Sequence, residues 1–110
     1  METTKARLYL VVRADLPPGL QAAQLVHAAT QLCLDQPEAA QAWHSGSQNV
    51  VCLSAPNMAT LARLAYETAR EGMRVATFKE PDLDGELTAI AVVGERLFSS
   101  LPLALKAKAA

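Results

Sequence analysis

The feature that most constrains the fold is a short, almost uninterrupted apolar run near the start of the chain. Residues Leu8 to Val12 are all apolar or aromatic, and an arginine stands at each end of the run. Such a run is typical of a strand that is buried on both faces, as a central strand of an α/β protein is. The turn Asp15-Leu-Pro-Pro-Gly19 follows. Its two prolines prevent the strand from continuing.

Segments with strand and helix patterns alternate along the rest of the chain. The predicted strands are Arg7–Arg13, Asn49–Ser54, Met73–Lys79 and Leu87–Gly94. The predicted helices cover residues 20–34, 35–44, 58–72 and 95–107, the last of them interrupted near Pro102. Helices connect the first three strands, so we expect these to be parallel, whereas the short loop Glu80–Glu86 predicts an antiparallel last strand. The sequence therefore predicts one three-layer α/β/α domain over residues 1–110 with a mixed four-stranded sheet.

The composition excludes several classes of protein. The chain has 110 residues, of which 51% are hydrophobic and 19% charged, and its net charge is -1, which argues against disorder and against a basic nucleic-acid arm. We expect no membrane span, no secretory signal and a cytoplasmic location, because no apolar run is long enough for either segment. Cys33 and Cys52 form no Cys-x-x-Cys pair, so we expect two free, buried thiols; a disulfide or a metal pair is the alternative.

A polar stripe on the first helix is the first candidate site. Gln24, His27 and Gln31 share one helix face with Leu20, and the residues expected to pack on the sheet instead are Ala22, Val26, Ala29 and Cys33. A histidine between two glutamines can orient a water molecule or accept a proton, although a solvated polar face would have the same pattern. Gly19, at the start of this helix, leaves backbone N–H groups accessible to a phosphate or an oxyanion.

The loop Glu80–Glu86 is the second candidate site, because it holds four carboxylates in seven residues. Its first residues imitate a calcium-binding loop, but Ala91 stands where the essential glutamate of an EF-hand would be, so an EF-hand is excluded. Close carboxylates raise one another's pKa, which can produce a general acid or base; a solvated hairpin loop is the alternative. Glu80 ends a predicted strand, and Thr88 begins the next one, where it can face Glu80.

Several of these motifs together resemble a known family. They are Leu10-Val-Val-Arg-Ala-Asp-Leu16, Ala22-Ala-Gln-x-x-His-Ala28, Ala55-Pro-Asn57 and Thr88-Ala-Ile-Ala-Val-Val-Gly94. In this order, and over nearly the whole chain, the sequence is similar to the type 2 (archaeal and eukaryotic-type) peptidyl-tRNA hydrolases. The resemblance implies hydrolysis of the ester between a peptide and tRNA, no metal or organic cofactor, and a homodimer.

The resemblance also implies a set of site residues. At two places, however, the sequence departs from the family. The implied catalytic residues are His27, Glu80 and Thr88, and the implied substrate-binding residues are Gly19, Leu20, Gln24 and Asp84. Leu20 stands where the family has a lysine, and Glu80 and the acidic loop after it replace an aspartate and a loop with a basic residue. These departures leave three alternatives open: a non-catalytic binding module, a hydrolase of another small substrate, and a metal site in the acidic loop.

Overall fold

Four strands form a single mixed sheet. The computed structural model describes residues 5–105. The strands are β1 (Arg7–Arg13), β2 (Val50–Ala55), β3 (Ala76–Glu80) and β4 (Glu86–Gly94), and their spatial order is β2-β1-β4-β3. β1 pairs in parallel with β2, whereas β4 pairs antiparallel with both β1 and β3.

The mixed four-stranded sheet is thus confirmed, but it contains only one parallel pair. β3 runs in the same direction as β1 and β2, because both β1 and β3 are antiparallel to β4. The expectation that the first three strands are parallel is confirmed as a pairing only for β1 and β2, since β4 lies between β1 and β3 and pairs antiparallel with both. The hairpin from β3 to β4 therefore places the last strand at the centre of the sheet and β3 at its edge.

Within the described residues, three α-helices cover the two faces of the sheet. They are α1 (Pro18–Asp35), α2 (Pro37–Ser45) and α3 (Met58–Arg70). Alternate residues of β1 point to opposite faces: Leu8, Leu10 and Val12 pack in one cluster with α1 and α2, and Tyr9 and Val11 pack in the other with α3. The core therefore consists of two apolar layers, one on each side of the sheet.

The boundaries of α3 follow from its end residues. Asn57 caps its start, because the Asn57 side-chain oxygen accepts a hydrogen bond of 2.9 Å from the Thr60 N–H. Beyond its end, Gly72 adopts a φ of +89°, which glycine tolerates better than other residues do. Asparagine and glycine are residue types that favour these two positions.

The helix predicted over residues 95–107 is wrong for the part that the structure describes. Residues 95–105 form no helix, and the predicted end of the helix beyond Leu105 lies outside the described residues. Residues 102–104 lie instead along the outer edge of β2, where the Ser54 N–H donates to Pro102 O and the Ala104 N–H donates to Cys52 O. This segment covers the β2 edge, which would otherwise present unpaired backbone groups.

The two cysteines differ in exposure. Both thiols are free, but Cys33 is exposed and Cys52 is half-buried, so the expectation of two buried thiols is wrong. Burial raises the pKa of the Cys52 thiol. Within residues 5–105, none of the helices combines the length and the apolar character that a transmembrane span needs.

A pair of leucines tests the packing of the layers. Leu61 of α3 is fully buried, whereas Leu34 of α1 is 72% exposed. Leu61→Ala is expected to lower the free energy of unfolding by roughly 2–5 kcal/mol, and the matched Leu34→Ala by less than about 0.5 kcal/mol. Urea unfolding followed by circular dichroism measures both, and equal losses would contradict the assigned packing.

Candidate functional site

A buried chain of hydrogen bonds joins α1 to the two strands of the hairpin. The Thr88 hydroxyl donates to Gln24 Oε1 at 2.6 Å, and Gln24 Nε2 donates to Glu80 Oε1 at 2.9 Å. Thr88 and Gln24 are fully buried, and Glu80 is 9% exposed. The structure therefore brings together three of the residues predicted from sequence, and Gln24 connects the other two.

A β-bulge explains why Thr88 faces α1. On β4, Ala89 and Ala91 pack on the side of α1 and Ile90 packs on the side of α3, so strict alternation would turn Thr88 toward α3. The register with β3 shifts here: Phe78 pairs with Ala89 and Lys79 with Leu87, which leaves Thr88 without a partner residue in β3. A bulge of this kind redirects a side chain. It aims the Thr88 hydroxyl at Gln24.

The buried face of α1 differs from the predicted one. Its sheet-facing residues are Gln21, Gln24, Leu25, Ala28 and Leu32. The prediction that Ala22, Val26, Ala29 and Cys33 pack on the sheet is wrong. Ala29 is half-buried against the core, and the other three side chains are exposed; Val26, for example, is 66% exposed. Two glutamines face inward because they have partners there. Gln24 bonds Glu80 and Thr88, and the Gln21 amide donates to Leu16 O at 2.6 Å and to Ala14 O at 3.3 Å.

The Glu80 carboxylate is held in one orientation and kept ionised. Gln24 Nε2 donates to one oxygen, and the Asp82 N–H donates to the other at 3.2 Å. These two hydrogen bonds, the first being the stronger influence, and the nearby His27 lower the pKa of Glu80, against the opposing effect of burial. A carboxylate can accept about four hydrogen bonds. Glu80 therefore keeps capacity for a water molecule.

His27 lies one helical turn after Gln24, on the exposed side of this cluster. Its ring stacks on Phe78 with centroids 4.4 Å apart and planes 11° from parallel. The stacking fixes the plane of the imidazole while leaving the residue exposed to solvent. Phe78 was not among the predicted site residues. Its spacing two residues before Glu80 on the same strand face is the signal that could have identified it.

The predicted catalytic residues differ in what they can contact. Thr88 is fully buried, and its hydroxyl proton is used in the bond to Gln24, so Thr88 orients Gln24 rather than a substrate in this structure. Glu80 and His27 are the groups with an ionisable or proton-accepting atom near solvent. Together they can hold a water molecule and accept its proton.

The other three predicted residues lie outside this hydrogen-bonded chain. Gly19 and Leu20 belong to the first turn of α1, and Pro17 before them provides no side-chain hydrogen bond to the helix start. Asp84 is exposed at the tip of the hairpin and adopts a left-handed backbone conformation with a φ of 54°. None of the hydrogen bonds within the described part of the chain joins Asp84 to Gln24, Glu80 or Thr88.

A nearly buried arginine connects the two loops beside the site. Arg13, at the end of β1, donates to both carboxylate oxygens of Asp15 at 3.0 Å and to Glu86 at 2.7 Å. It also donates to the Leu87 backbone oxygen at 3.3 Å. These contacts lower the pKa of Asp15 and raise that of Arg13. One of the four loop carboxylates, Glu86, is therefore already paired with a cation.

The acidic loop does not assemble a metal-ligand set. Among residues 5–105, no three or more histidine, cysteine, aspartate or glutamate side chains lie close enough together to hold a metal ion. The donors of the loop are divided, since Glu80 bonds Gln24 and Glu86 bonds Arg13.

Comparison with known proteins identifies the family. The family model described as Peptidyl-tRNA hydrolase PTH2 matches residues 6–94, which include all the site residues described above. The chain belongs to the PTH2 family. A search of curated proteins finds no significant match.

One solved structure of similar shape is a protein of unknown function from Agrobacterium tumefaciens. The match has a TM-score of 0.68 and 9% sequence identity, and it covers 91% of this chain and 98% of that protein. At this identity, the likeness shows a shared fold. It extends beyond the family match, because the matched segment of the family ends at residue 94.

Thr88 provides a test of the buried hydrogen-bond chain in this PTH2 protein. Thr88→Val preserves the shape of the side chain but leaves the buried Gln24 oxygen without its donor, so the free energy of unfolding should fall by roughly 1–3 kcal/mol. Thr77→Val, on the exposed side of β3, is the matched control and should change it by less than about 0.5 kcal/mol. Urea unfolding of both variants is the measurement. An unaffected Thr88→Val protein would contradict the role given to this hydroxyl.

Proposed function

We propose that the chain hydrolyses the ester between a peptide and the 3′ ribose of tRNA by direct attack of water. The observation that carries this proposal is the fixed, ionised Glu80 carboxylate beside the exposed imidazole of His27. Membership of the PTH2 family supports the choice of peptidyl-tRNA as the substrate. No metal or organic cofactor has a part in the proposed reaction.

In the proposed reaction, Glu80 and His27 act on the attacking water. The Glu80 carboxylate accepts a hydrogen bond from the water and orients it toward the ester carbon. Because its pKa is lowered, Glu80 alone is a weak base, so the exposed His27 imidazole is proposed to accept the proton of the water. When the bond between the ester carbon and the ribose 3′ oxygen breaks, His27 returns this proton to the departing oxygen. Gln24 and Thr88 act as positioning residues that hold the carboxylate.

The start of α1 is the proposed stabiliser of the developing oxyanion. Free backbone N–H groups at a helix start carry partial positive charge and favour an anion. Gly19 and Leu20 provide such groups where Pro17 supplies no side-chain cap. Donors of this kind contribute much of the acceleration in acyl-transfer reactions.

Leu20 is the strongest argument for a second function, a non-catalytic binding module on the same fold. A leucine offers no charge to a phosphate or to the ester at the position where the family has a lysine. The exposed Asp82 and Asp84 add negative charge to the loop next to Glu80, which opposes the approach of tRNA phosphates. The homodimer that the family resemblance implies, the cytoplasmic location expected from the sequence and a role of Asp84 in binding remain part of the first proposal.

Hydrolysis of an N-blocked aminoacyl-tRNA by the purified protein tests the proposed function. We expect release of the blocked amino acid above the spontaneous rate. Glu80→Gln keeps the shape and one hydrogen-bond acceptor but removes the charge, so the rate should fall by about 100-fold or more. His27→Ala should reduce the rate by a similar order of magnitude.

Glu67→Gln is the matched control, because Glu67 is exposed on α3 and lies away from the cluster. It should leave the rate unchanged, and circular dichroism should show that all variants retain the fold. A wild-type rate equal to the spontaneous one, at high enzyme concentration, would contradict the hydrolase. A folded protein that neither hydrolyses nor binds this aminoacyl-tRNA would then favour a binding module for another ligand.

A further inference from the structure

A cavity of about 480 Å³ lies on the α3 side of the sheet, at the opposite end of β1 from Glu80. Its lining comes from the first half of β1, from β2 and from the segment after β4, and it includes Arg7, Tyr9, Leu53, Arg96, Phe98 and Ser99. β1 has seven residues, so its two ends are roughly 20 Å apart. The cavity is therefore separate from the Gln24–Glu80 cluster in both position and sheet face.

The cavity exists because an irregular segment, rather than a helix, covers this part of the sheet. Two residues with left-handed backbone, Arg96 with a φ of 54° and Phe98 with a φ of 56°, give the segment an irregular path. The bridge between Leu53 and Leu103 anchors its far end to β2. The wall is thus attached at both ends and leaves unfilled space beneath it.

The floor and walls of this cavity are apolar and aromatic. Tyr9 and Leu53 belong to the α3-side core, and the Phe98 ring meets the Tyr9 ring edge-to-face with centroids 6.0 Å apart. Leu97 and Leu101 pack against the same core. Small-molecule sites typically combine such a lining and volume with a few polar groups that fix the orientation of the ligand.

Positive charge is concentrated at the rim. Arg7 and Arg96 line this cavity and also an adjoining one of about 260 Å³, which Lys5 and Glu95 complete. Within residues 5–105, the ion pairs involve only Arg13, so none of the three rim cations is paired with a carboxylate. Arg7 has a hydrogen bond of 3.4 Å to the Tyr9 hydroxyl, which directs its guanidinium group over the cavity mouth.

From this combination we infer that the cavity binds a small amphipathic anion, namely a carboxylate on an aliphatic chain. The chain packs against Tyr9, Leu53 and Phe98, and the carboxylate lies between Arg7 and Arg96. A planar guanidinium group matches a carboxylate with two parallel hydrogen bonds, which makes arginine well suited to this role. The inference does not depend on hydrolysis at Glu80.

Titration of the ¹⁵N-labelled protein with octanoate tests the inference. The backbone amide signals of Phe98, Ser99 and Leu101 are expected to shift in a saturable way, while those around Gln24 remain unchanged. Each methylene of the chain adds about a fourfold gain in affinity, so hexanoate should bind about 15-fold more weakly than octanoate. Octanol, which has the same chain without the charge, should bind at least about tenfold more weakly.

Two variants and a matched control separate the charge from the cavity. The double variant Arg7→Gln/Arg96→Gln should weaken octanoate binding about tenfold or more, whereas Arg63→Gln/Arg70→Gln, on the exposed face of α3, should not change it. Ser99→Phe places a bulky ring in the lining of the cavity without removing a buried contact, and it should also weaken octanoate binding.

Four results would overturn the inference. Three are an absence of saturable shifts at these amides, equal affinity for octanol and octanoate, and an octanoate affinity that Ser99→Phe leaves unchanged. The fourth is a shift of the same amide signals that follows the protein concentration instead of the octanoate concentration. It would indicate that the cavity is a contact between copies of the chain.

Discussion

The hydrogen bond from Gln24 to Glu80 is the interaction on which the candidate site depends. It connects the middle of a fully buried helix face to the end of an edge strand, and it is the first cause of the lowered pKa of Glu80. An amide has both a donor and an acceptor, so Gln24 can satisfy the Thr88 hydroxyl with its oxygen while it binds the carboxylate with its nitrogen. An aliphatic residue at position 24 could make neither contact. Its presence would leave buried polar groups without a partner.

The strands and helices before residue 94 follow from local patterns, and the orientation of α1 does not. The apolar run of β1, the Asn57 cap and Gly72 all indicate their structures through rules that act over a few residues. For α1, the same rules favour Val26 over Gln24 as the buried residue. The partners that stabilise a buried Gln24 come from Glu80 and Thr88, which are more than fifty residues away in sequence. Hydrophobic periodicity contains no information about such partners.

The bulge at Thr88 and the segment after Gly94 also could not be predicted from local sequence patterns. Alternation along β4 would turn Thr88 toward α3, and only the register against β3 reveals that it faces α1. Residues 95–105 have a composition compatible with a helix, but their backbone pairs with the open edge of β2 at Leu53. The order of the strands is likewise set by long-range pairing, since the position of β4 between β1 and β3 depends on which strand edges are available.

The central claim is that Gln24 keeps Glu80 ionised and oriented, and a ¹³C NMR titration of the Glu80 carboxyl group tests it most directly. In the wild-type protein, the pKa of Glu80 should lie below its ordinary value of 4.5. In Gln24→Leu it should rise, because the first cause of the lowering is removed. The matched variant Gln31→Leu breaks an exposed hydrogen bond to Asp35 on the same helix, and it should leave the pKa of Glu80 unchanged. An ordinary pKa in the wild-type protein, or an unchanged one in Gln24→Leu, would contradict the account.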